Sequence, residues 1–485
     1  MLSKILKTIG ILVAILLVIV LFNTLTYKSK QLQLEAIPSV AVTENCVQHL
    51  SEAVQIKTVS YDEPSKFDSA AFNQLISYLK KTYPLSDSLL NKKVINGFSL
   101  LYKWEGANPS LKPIILMGHM DVVPVDEETK KWDFQPFGGE ITDKFVCGRG
   151  TLDDKVNVIG ILEAVEMLLK ENFKPKRTVY LAFGHDEEIG GENGAKKIAE
   201  FLESQHVNAE FILDEGMLIT RGVVPGIKKD VALIGVSEKG YLSVELSVET
   251  EGGHSSMPAK ETPIGILAIA VAKLEKNPMS PKISEPVQYF LDYVGPEMPF
   301  FSKLAFANQW LLNSVIISKY EASNSGNATI RTTTAPTIFK SGFKDNVLPT
   351  VAKATINFRI LPGETSDDVI THIEKTLNDS RIKIKKIGHG NEPAAVSDIN
   401  SKGFKQIEKS VKQVFKNTIT APSLMIGGTD EKHYSKVSDN LFRFLPNVFD
   451  SEDLKRIHGL NEKISIDNFK NCIRFYRQLI TNSCE

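Results

Sequence analysis

The order of apolar and polar residues divides the chain into an N-terminal apolar segment and a long region of alternating elements. An uninterrupted apolar run covers residues 9–22, and a polar connector follows it to about residue 39. Short apolar runs predict three buried strands, over residues 113–118, 177–184 and 209–214. Helical spacing between them predicts helices over residues 156–172 and 191–205. Strands alternating with helices predict an α/β sheet covered by helices.

The pattern changes near residue 237, because residues 241–252 alternate strictly between apolar and polar, as a half-exposed strand does. The elements predicted after it are a helix over 262–276, an irregular segment over 277–345, an alternating strand over 351–361, a helix over 365–377 and a strand over 381–387. Two strand–helix–strand-like units predict a small α+β domain inserted into the larger one. The larger domain resumes near residue 401 and closes with a helix over 466–481.

The N-terminal apolar run is preceded by Lys4 and Lys7. Its length suits the core of a signal peptide or, with Thr8 and residues 23–25 added, a short membrane span. No small-x-small cleavage site follows, so an uncleaved anchor is favoured over a signal that is removed. Either reading places the rest of the chain outside the cytoplasm, in a periplasmic, lumenal or extracellular space, anchored or secreted.

Composition narrows the classes of partner. Of the 485 residues, 42% are hydrophobic and 24% charged, as in a globular protein, and the length favours two domains. The net charge of −1 gives no basic excess for nucleic acid. The four cysteines form no CxxC pair, which favours isolated thiols over a disulfide framework or a thiolate metal site.

Five motifs place ionisable residues at predicted strand ends or helix starts. They contribute His119 and Asp121 (GHMDVVP), Asp153 and Asp154 (GRGTLDDK), Glu187 and Glu188 (GHDEEIGG), Asp214 and Glu215 (LDEG), and His458 and Glu462 (RIHGLNEKIS). Each motif taken alone is also compatible with a polar loop. Asp153 and Asp154 alone are compatible with a helix N-cap pair. Their joint placement at one sheet edge favours a shared site. Imidazole and carboxylate without thiolate suit zinc, with cobalt or manganese as substitutes, and two such ions would relieve the repulsion between neighbouring carboxylates.

From about residue 36 to the C-terminus, the sequence resembles the co-catalytic di-zinc carboxypeptidase/aminoacylase family, which includes glutamate carboxypeptidase and aminoacylase. The motifs that carry the resemblance occur in family order: GHMDVVPV, GRGTLDDK, GHDEEIGG, EGGHSSMP, NVLP with NFR, GGTDEKHY and HGLNEKI. The subgroup that it resembles most contains Gly-Xaa carboxypeptidase and secreted N-fatty-acyl-amino-acid hydrolases. One departure is Lys432, where that subgroup leads us to expect Arg.

The resemblance implies a zinc-peptidase-like, three-layer α/β catalytic domain with a smaller inserted α+β, ferredoxin-like domain that serves as a lid and for dimerisation. The expected division is an anchor or signal over residues 1–26, the catalytic domain over 36–236 and 398–485, and the inserted domain over 237–397. A homodimer would form through the inserted domain.

The resemblance also implies roles for single residues. His119 and Asp214 would hold one zinc ion, Glu188 and His458 the other, and Asp153, joined to Asp154 by a cis peptide bond, would bridge both. Asp121 would fix the imidazole tautomer of His119. Glu187 would be the general base that activates the bridging water. The expected substrate contacts are His254 at the oxyanion, from its own or a partner subunit, Arg359 at the substrate carboxylate, and Asn346 and Gly428.

These roles predict a hydrolase with two zinc ions per chain that cleaves N-acyl amino acids or short peptides with a free C-terminal carboxylate. Two alternatives stay open: a narrow-specificity aminopeptidase or deacylase of the same clan, and an inactive, membrane-tethered binding module. The presence of Glu187 and Asp153 counts against the second alternative. We expect His185 and Asp186 to be structural, and Glu462 to orient the loop of His458.

Overall fold

The structure is a computed structural model that describes residues 1–34, 37–126 and 131–485. The start of the catalytic domain expected at residue 36 lies outside the described residues. The helices before residue 237 are α1 Leu2–Thr26, α2 Asn45–Gln55, α3 Ser69–Thr82, α4 Pro84–Leu89, α5 Lys155–Lys170 and α6 Ala195–Ser204. The strands over the same part are β1 Asn91–Ile95, β2 Ser99–Trp104, β3 Ile114–His119, β4 Glu140–Ile141, β5 Phe145–Cys147, β6 Val179–Gly184, β7 Phe211–Thr220 and β8 Val231–Glu238.

The middle of the chain adds both strands and helices. Its strands are β9 Gly240–Glu249, β10 Gly253–His254, β11 Thr333–Ser341, β12 Val347–Leu348, β13 Val351–Ile360 and β14 Ile382–Asn391. Its helices are α7 Pro263–Lys276, α8 Glu285–Val294, α9 Phe300–Ala307, α10 Gln309–Glu321, α11 Asn324–Ile330 and α12 Ser366–Leu377. The C-terminal part comprises α13 Lys402–Val414, β15 Ile419–Met425, β16 Leu441–Phe449, α14 Ser451–Leu454, β17 Lys463–Ser465 and α15 Ile466–Cys484.

A mixed eight-stranded sheet, in the order β1-β2-β6-β3-β7-β16-β8-β15, forms the centre of the larger domain. Strands β6, β3, β7 and β16 run parallel to their neighbours in that row, so their carboxyl ends meet at one edge. Helices α2, α5, α13 and α15 cover one face through an extensive apolar core, and α6 packs on the other face through a second core. The three predicted strands are confirmed as β3, β6 and β7, and the three-layer α/β architecture is confirmed with them.

The smaller domain is a four-stranded antiparallel sheet in the order β11-β13-β9-β14. Alternate residues of β13 are buried, among them Ala354, Ile356 and Phe358, and they pack against apolar residues of α7 and α12. The strict alternation of apolar and polar residues in the sequence therefore reflects a sheet with one face buried under helices and the other face exposed. The predicted α+β lid is confirmed, while its boundaries at residues 237 and 397 stay predictions.

The prediction of an irregular segment over residues 277–345 is wrong. It contains the four helices α8 to α11 and strand β11, and α8 packs with Val294 on Val231 and Ile419, at the β8–β15 edge of the large sheet. These helices have only 7–13 residues each and are interrupted by Pro296 and Pro299. Helices this short depend on tertiary packing rather than on their own propensity, so their sequence periodicity is weak.

Helix α1 has 25 residues and is long and apolar enough to cross a membrane. A signal sequence satisfies the same criterion, so length and composition leave both readings open. Two residues of α1, Val20 and Thr24, are buried against the rest of the chain.

Candidate metal centre

Several of the residues predicted for the metal site come together at the carboxyl edge of the large sheet. His119 is the last residue of β3, and Glu187 and Glu188 form a short 3-10 turn directly after β6. Asp214 and Glu215 lie within β7, two strands from β6. Parallel strands deliver these side chains to one place because their carboxyl ends share an edge of the sheet.

Asp153 lies between the two imidazoles of the site. Its Oδ1 is 2.8 Å from Nε2 of His119, and its Oδ2 is 3.0 Å from Nε2 of His458. Nε2 of His458 is also 3.2 Å from Oε2 of Glu188. One carboxylate thus presents one oxygen to each histidine, which is the arrangement that a bridging ligand needs. The Asp153–Asp154 peptide bond is cis, as the resemblance implies.

Two groups of side chains gather ligand atoms closely enough to hold a metal ion. The first consists of His119, Asp153 and Glu215, and the second of Asp153, Glu188 and His458. Within each group the ligand atoms lie within 4.8 Å of one another. Five of the carboxylate and imidazole side chains singled out in the sequence are therefore brought together by the fold.

The position expected for Asp214 in the first group is taken by its neighbour Glu215. Successive side chains of a strand point to opposite faces, so only one of this pair in β7 can face His119. Asp214 pairs in register with Arg443 of β16, its Oδ1 accepts the backbone N–H of Glu215 at 2.9 Å, and burial raises its pKa to about 6. Asp214 as a ligand stays a prediction, and the geometry adds Glu215 as a second candidate.

Asp121 holds two of the site's loops together. Its Oδ1 lies 3.2 Å from Nδ1 of His119, which leaves Nε2 of that ring directed at Asp153. The same carboxylate accepts the backbone N–H groups of Glu187 and Glu188, each at 3.2 Å. Burial alone would raise the pKa of Asp121, but the hydrogen bond from His119 lowers it, so the group stays ionised. This contact matches the orienting role that the resemblance implies.

The buried carboxylates of the site exceed the positive charge that faces them. Burial raises the pKa of Glu187 to about 8, with Glu188 and Asp153 adding repulsion, and burial also raises the pKa of Glu215 well above its usual range. Conversely, hydrogen bonds to Asp153 and Glu188 raise the pKa of His458 to about 10. A cation bound among these neighbouring carboxyl groups would stabilise their ionised forms.

Unpartnered oxygens support the same conclusion. Oε1 of Glu188 and Oδ2 of Asp214 are buried in the described part of the chain without a hydrogen-bond partner. A buried acceptor without a donor is costly, whereas a metal ion would satisfy it. The donor set of imidazole nitrogen and carboxylate oxygen matches zinc, so the residues present fit the metal that the sequence predicts.

Glu462 connects the loop of Asp153 to the loop of His458. Its Oε1 accepts the backbone N–H groups of Gly150 and Leu152 at 2.9 and 2.7 Å, and its Oε2 pairs with the guanidinium of Arg149. Arg149 in turn donates to the backbone carbonyl of His458 at 3.2 Å. The orienting role expected for Glu462 agrees with these contacts, but the sequence analysis missed its buried partner Arg149, which stands inside the GRGTLDDK motif.

His185 and Asp186 have the structural environments expected for them. Nδ1 of His185 lies 2.6 Å from Oγ of Ser99, and its ring contacts three phenylalanines. Asp186 accepts the backbone N–H groups of Asn193 and Gly194, each at 2.7 Å, and so shapes the turn that leads into α6.

The predicted substrate contacts are divided between the lid and the larger domain. His254 is exposed on the β10–β12 ribbon, where Ser255 donates its backbone N–H to the carbonyl of Asn346 at 3.3 Å. Arg359 lies in β13 of the lid, 4.8 Å above the ring of Tyr241. Gly428 stands exposed in the loop after β15 of the larger domain. The described contacts bring none of the four to the two ligand groups.

A second charge cluster next to the site was missed by the sequence analysis. Arg443 is fully buried, and its Nε lies 2.7 Å from Oε2 of Glu431 and 3.3 Å from Oε2 of Glu238. Asp430, in the same short turn as Glu431, is buried near Glu187, and burial raises its pKa well above the usual range. Only the GGTDEKHY motif, which contains both acids, hinted at this cluster.

The mixed α/β sheet, the lid and the paired carboxylate–imidazole groups define a metal-dependent hydrolase. The chain belongs to peptidase family M20/M25/M40, whose family model matches residues 115–482. This confirms the family resemblance and the enzymatic class, a metallopeptidase with a catalytic domain and a smaller lid.

Similar proteins agree with this assignment. The chain is 43% identical to "Probable carboxypeptidase S-like 2" of Dictyostelium discoideum, over 98% of this chain and 93% of that protein. It is 41% identical to "N-fatty-acyl-amino acid synthase/hydrolase PM20D1" of Xenopus tropicalis, over 90% and 85% of the two chains. The crystal structure of an M20 family metallo-carboxypeptidase from Sulfolobus solfataricus superposes with a TM-score of 0.68 at 19% identity, covering 91% of this chain and 99% of that chain, which supports the fold.

We expect Glu462→Gln to destabilise the protein by about 3–5 kcal/mol, because it leaves the buried Arg149 guanidinium without a charged partner. Urea unfolding of the detergent-solubilised chain, followed by tryptophan fluorescence, measures the effect. The matched control is Glu452→Gln, which breaks an exposed pair with Lys455 and should cost less than about 1 kcal/mol. Equal losses for the two variants would contradict the role given to Glu462.

Proposed function

We propose that the protein is a di-metal amide hydrolase that cleaves N-acyl amino acids or short peptides with a free C-terminal carboxylate. The observation that carries the proposal is the carboxylate of Asp153, which presents one oxygen to His119 and the other to His458. A bridging carboxylate between two imidazoles supports two ions rather than one.

The residues that would hold the metals are those of the two groups. His119, Asp153 and either Glu215 or Asp214 would hold one ion, and Asp153, Glu188 and His458 the other. Zinc is the metal that this donor set favours, with cobalt or manganese as substitutes. Bound there, the ions would supply an acidified water molecule and polarise the carbonyl of the scissile amide.

Glu187 is our candidate for the general base. It stands outside both ligand groups although it adjoins Glu188, and Asp121 holds the backbone N–H groups of both residues. Its carboxylate would accept the proton of the attacking water and return it to the nitrogen of the leaving amine. A carboxylate that does not coordinate a metal ion stays basic enough to accept the proton from water and then to donate it to the leaving nitrogen.

The lid would supply the substrate contacts. Arg359 is held by the ring of Tyr241, so its planar fork is ordered before it meets a substrate carboxylate. His254 would stabilise the oxyanion, from its own chain after the lid closes or from a partner subunit in a homodimer. Asn346, beside His254, and Gly428, in the larger domain, would contact the rest of the substrate.

Two observations bear on substrate and location. Relatives named carboxypeptidase S-like and N-fatty-acyl-amino acid synthase/hydrolase PM20D1 support acyl amino acids and C-terminal residues as substrates.

The contact of Asn23 and Thr24 of α1 with the buried Asn308 supports an uncleaved anchor with the catalytic domain outside the cytoplasm, over secretion after cleavage. A narrow-specificity aminopeptidase or deacylase is the second candidate.

We expect Glu187→Gln to retain two metal ions per chain and to lower kcat by about 10²–10⁴-fold, since only proton transfer is removed. The matched control is Glu188→Gln, which should lose one ion as well as activity. Metal content by mass spectrometry and hydrolysis of an acyl amino acid are measured on the same samples. If Glu187→Gln loses the ion and Glu188→Gln keeps it, the two roles are reversed; a wild-type chain without metal or hydrolysis would favour the inactive tethered module.

We expect Glu215→Gln to weaken binding of one metal ion more than Asp214→Asn does, because the fold directs Glu215 towards His119 and Asp153. Titration of the metal-depleted variants with zinc gives the affinities. A larger loss for Asp214→Asn would restore the assignment that the resemblance implies.

We expect Arg359→Lys to raise KM for an acyl amino acid with a free carboxylate at least tenfold, with little change for the matching carboxamide. A lysine cannot reproduce the two parallel hydrogen bonds of the guanidinium. Steady-state kinetics on both substrates and on a free-amine dipeptide test the proposal. Preference for the dipeptide and equal effects on both acyl substrates would favour the aminopeptidase alternative.

A further inference from the structure

The two helices that follow the edge helix α8 expose large apolar side chains. Phe300 and Phe301 begin α9, and Trp310, Leu311 and Val315 lie on α10, all of them exposed; Phe301 is 84% and Trp310 63% exposed. We call these five side chains the α9–α10 patch. The surrounding residues 298–320 contain two lysines and no Asp or Glu. A cluster of this size and composition on a protein surface marks a contact with an apolar partner.

The same two helices clamp the end of α1. Asn308, at the junction of α9 and α10, is fully buried. Its Nδ2 donates to the carbonyl of Val20 at 3.1 Å and lies 3.3 Å from Oγ1 of Thr24, and its Oδ1 accepts from Nδ2 of Asn23 at 3.0 Å. The polar groups at the end of α1 are thereby paired with protein rather than left to solvent.

The position of this clamp sets the depth of the α9–α10 patch. A membrane span over residues 8–25 is about 27 Å long, close to the thickness of a bilayer's hydrocarbon core. Asn23 and Thr24 then stand at the edge of the hydrocarbon, where polar groups need partners within the protein. Because Asn308 meets α1 at that level, α9 and α10 would lie at the surface of a membrane that α1 spans.

The residues that follow α1 are bound directly to α8 and the turn after it, so α1 and the larger domain are held close together. The hydroxyl of Tyr27 donates to the carbonyl of Leu291 at 2.8 Å, and Nζ of Lys30 lies 2.8 Å from Oδ2 of Asp292. Tyr27 also packs so closely on Gly295 that a Cβ there would be 2.7 Å from its hydroxyl oxygen. The larger domain is thus held against the point where α1 leaves the bilayer.

We propose that the α9–α10 patch inserts into the interface of the bilayer that α1 spans, so that the catalytic domain rests on the lipid surface. Tryptophan and phenylalanine partition into this layer, and the two lysines match an anionic or zwitterionic headgroup region. The proposal rests on α1 remaining in the mature chain, and it is independent of the proposed amide hydrolysis. A second copy of the chain is the competing occupant of the patch.

The test labels the patch with an environment-sensitive fluorophore. Phe301→Cys carries the label in the patch, and the matched control, Phe343→Cys, carries it in the turn after β11 of the lid, where Phe343 is 86% exposed. The four native cysteines are buried, so the new thiol reacts selectively. Each full-length variant is reconstituted in phosphatidylcholine vesicles made with or without brominated acyl chains, and intact mass confirms that α1 is present.

We expect brominated lipid to quench the label at residue 301 at least twofold and the label at residue 343 by less than a tenth. Equal quenching at both positions, or none at residue 301, would overturn the proposal. A blue-shifted label at residue 301 that ignores bromine but responds to protein concentration would assign the patch to a second copy. Native fluorescence gives a label-free check, because Trp310→Phe should remove the bromine-sensitive signal and Trp132→Phe should not.

Discussion

The rest of this structure depends on one electrostatic constraint, the gathering of carboxylates at the carboxyl edge of a buried sheet. Asp153 stands between two imidazoles, and burial raises the pKa of Glu187 and Glu215, with repulsion from neighbouring carboxylates such as Asp153 adding to the effect. Such a cluster is stable only if cations are bound within it or the acids are protonated. The loops around it are held by buried hydrogen bonds, so the backbone that carries the cluster is preorganised.

Two carboxylates outside the ligand groups maintain that preorganisation. Asp121 fixes the ring of His119 and the backbone of the glutamate turn with a single side chain. Glu462 joins the loop of Asp153 to Arg149 and thereby to His458, which arrives from more than 300 residues along the chain. Mutation of outer residues of this kind typically lowers metal affinity or activity by about 10–100-fold. Because Asp121 holds the backbone N–H groups of both Glu187 and Glu188, these adjacent side chains keep separate positions, one inside a ligand group and one outside.

The helices of the middle segment join the site to the N-terminus. Helix α8 extends the core of the large sheet at its β15 edge, while α9 and α10 surround the end of α1 through Asn308. The lid, by contrast, has its own apolar core between its sheet and two helices. The lid is therefore a separate packing unit, whereas the helical segment packs on the larger domain and on α1.

The sequence by itself determined the α/β class, the lid's alternating strands and the motifs whose side chains gather at the sheet edge, because buried strands and such motifs are local patterns. It did not determine that Glu215, rather than Asp214, lies in the ligand group of His119 and Asp153, since the strand decides which side chain points to which face. It also missed Arg149 as the partner of Glu462, a contact across about 310 residues. The helices α8 to α11 escaped prediction because their short, proline-interrupted segments become helical only by packing on the large sheet and α1, which tertiary structure alone supplies.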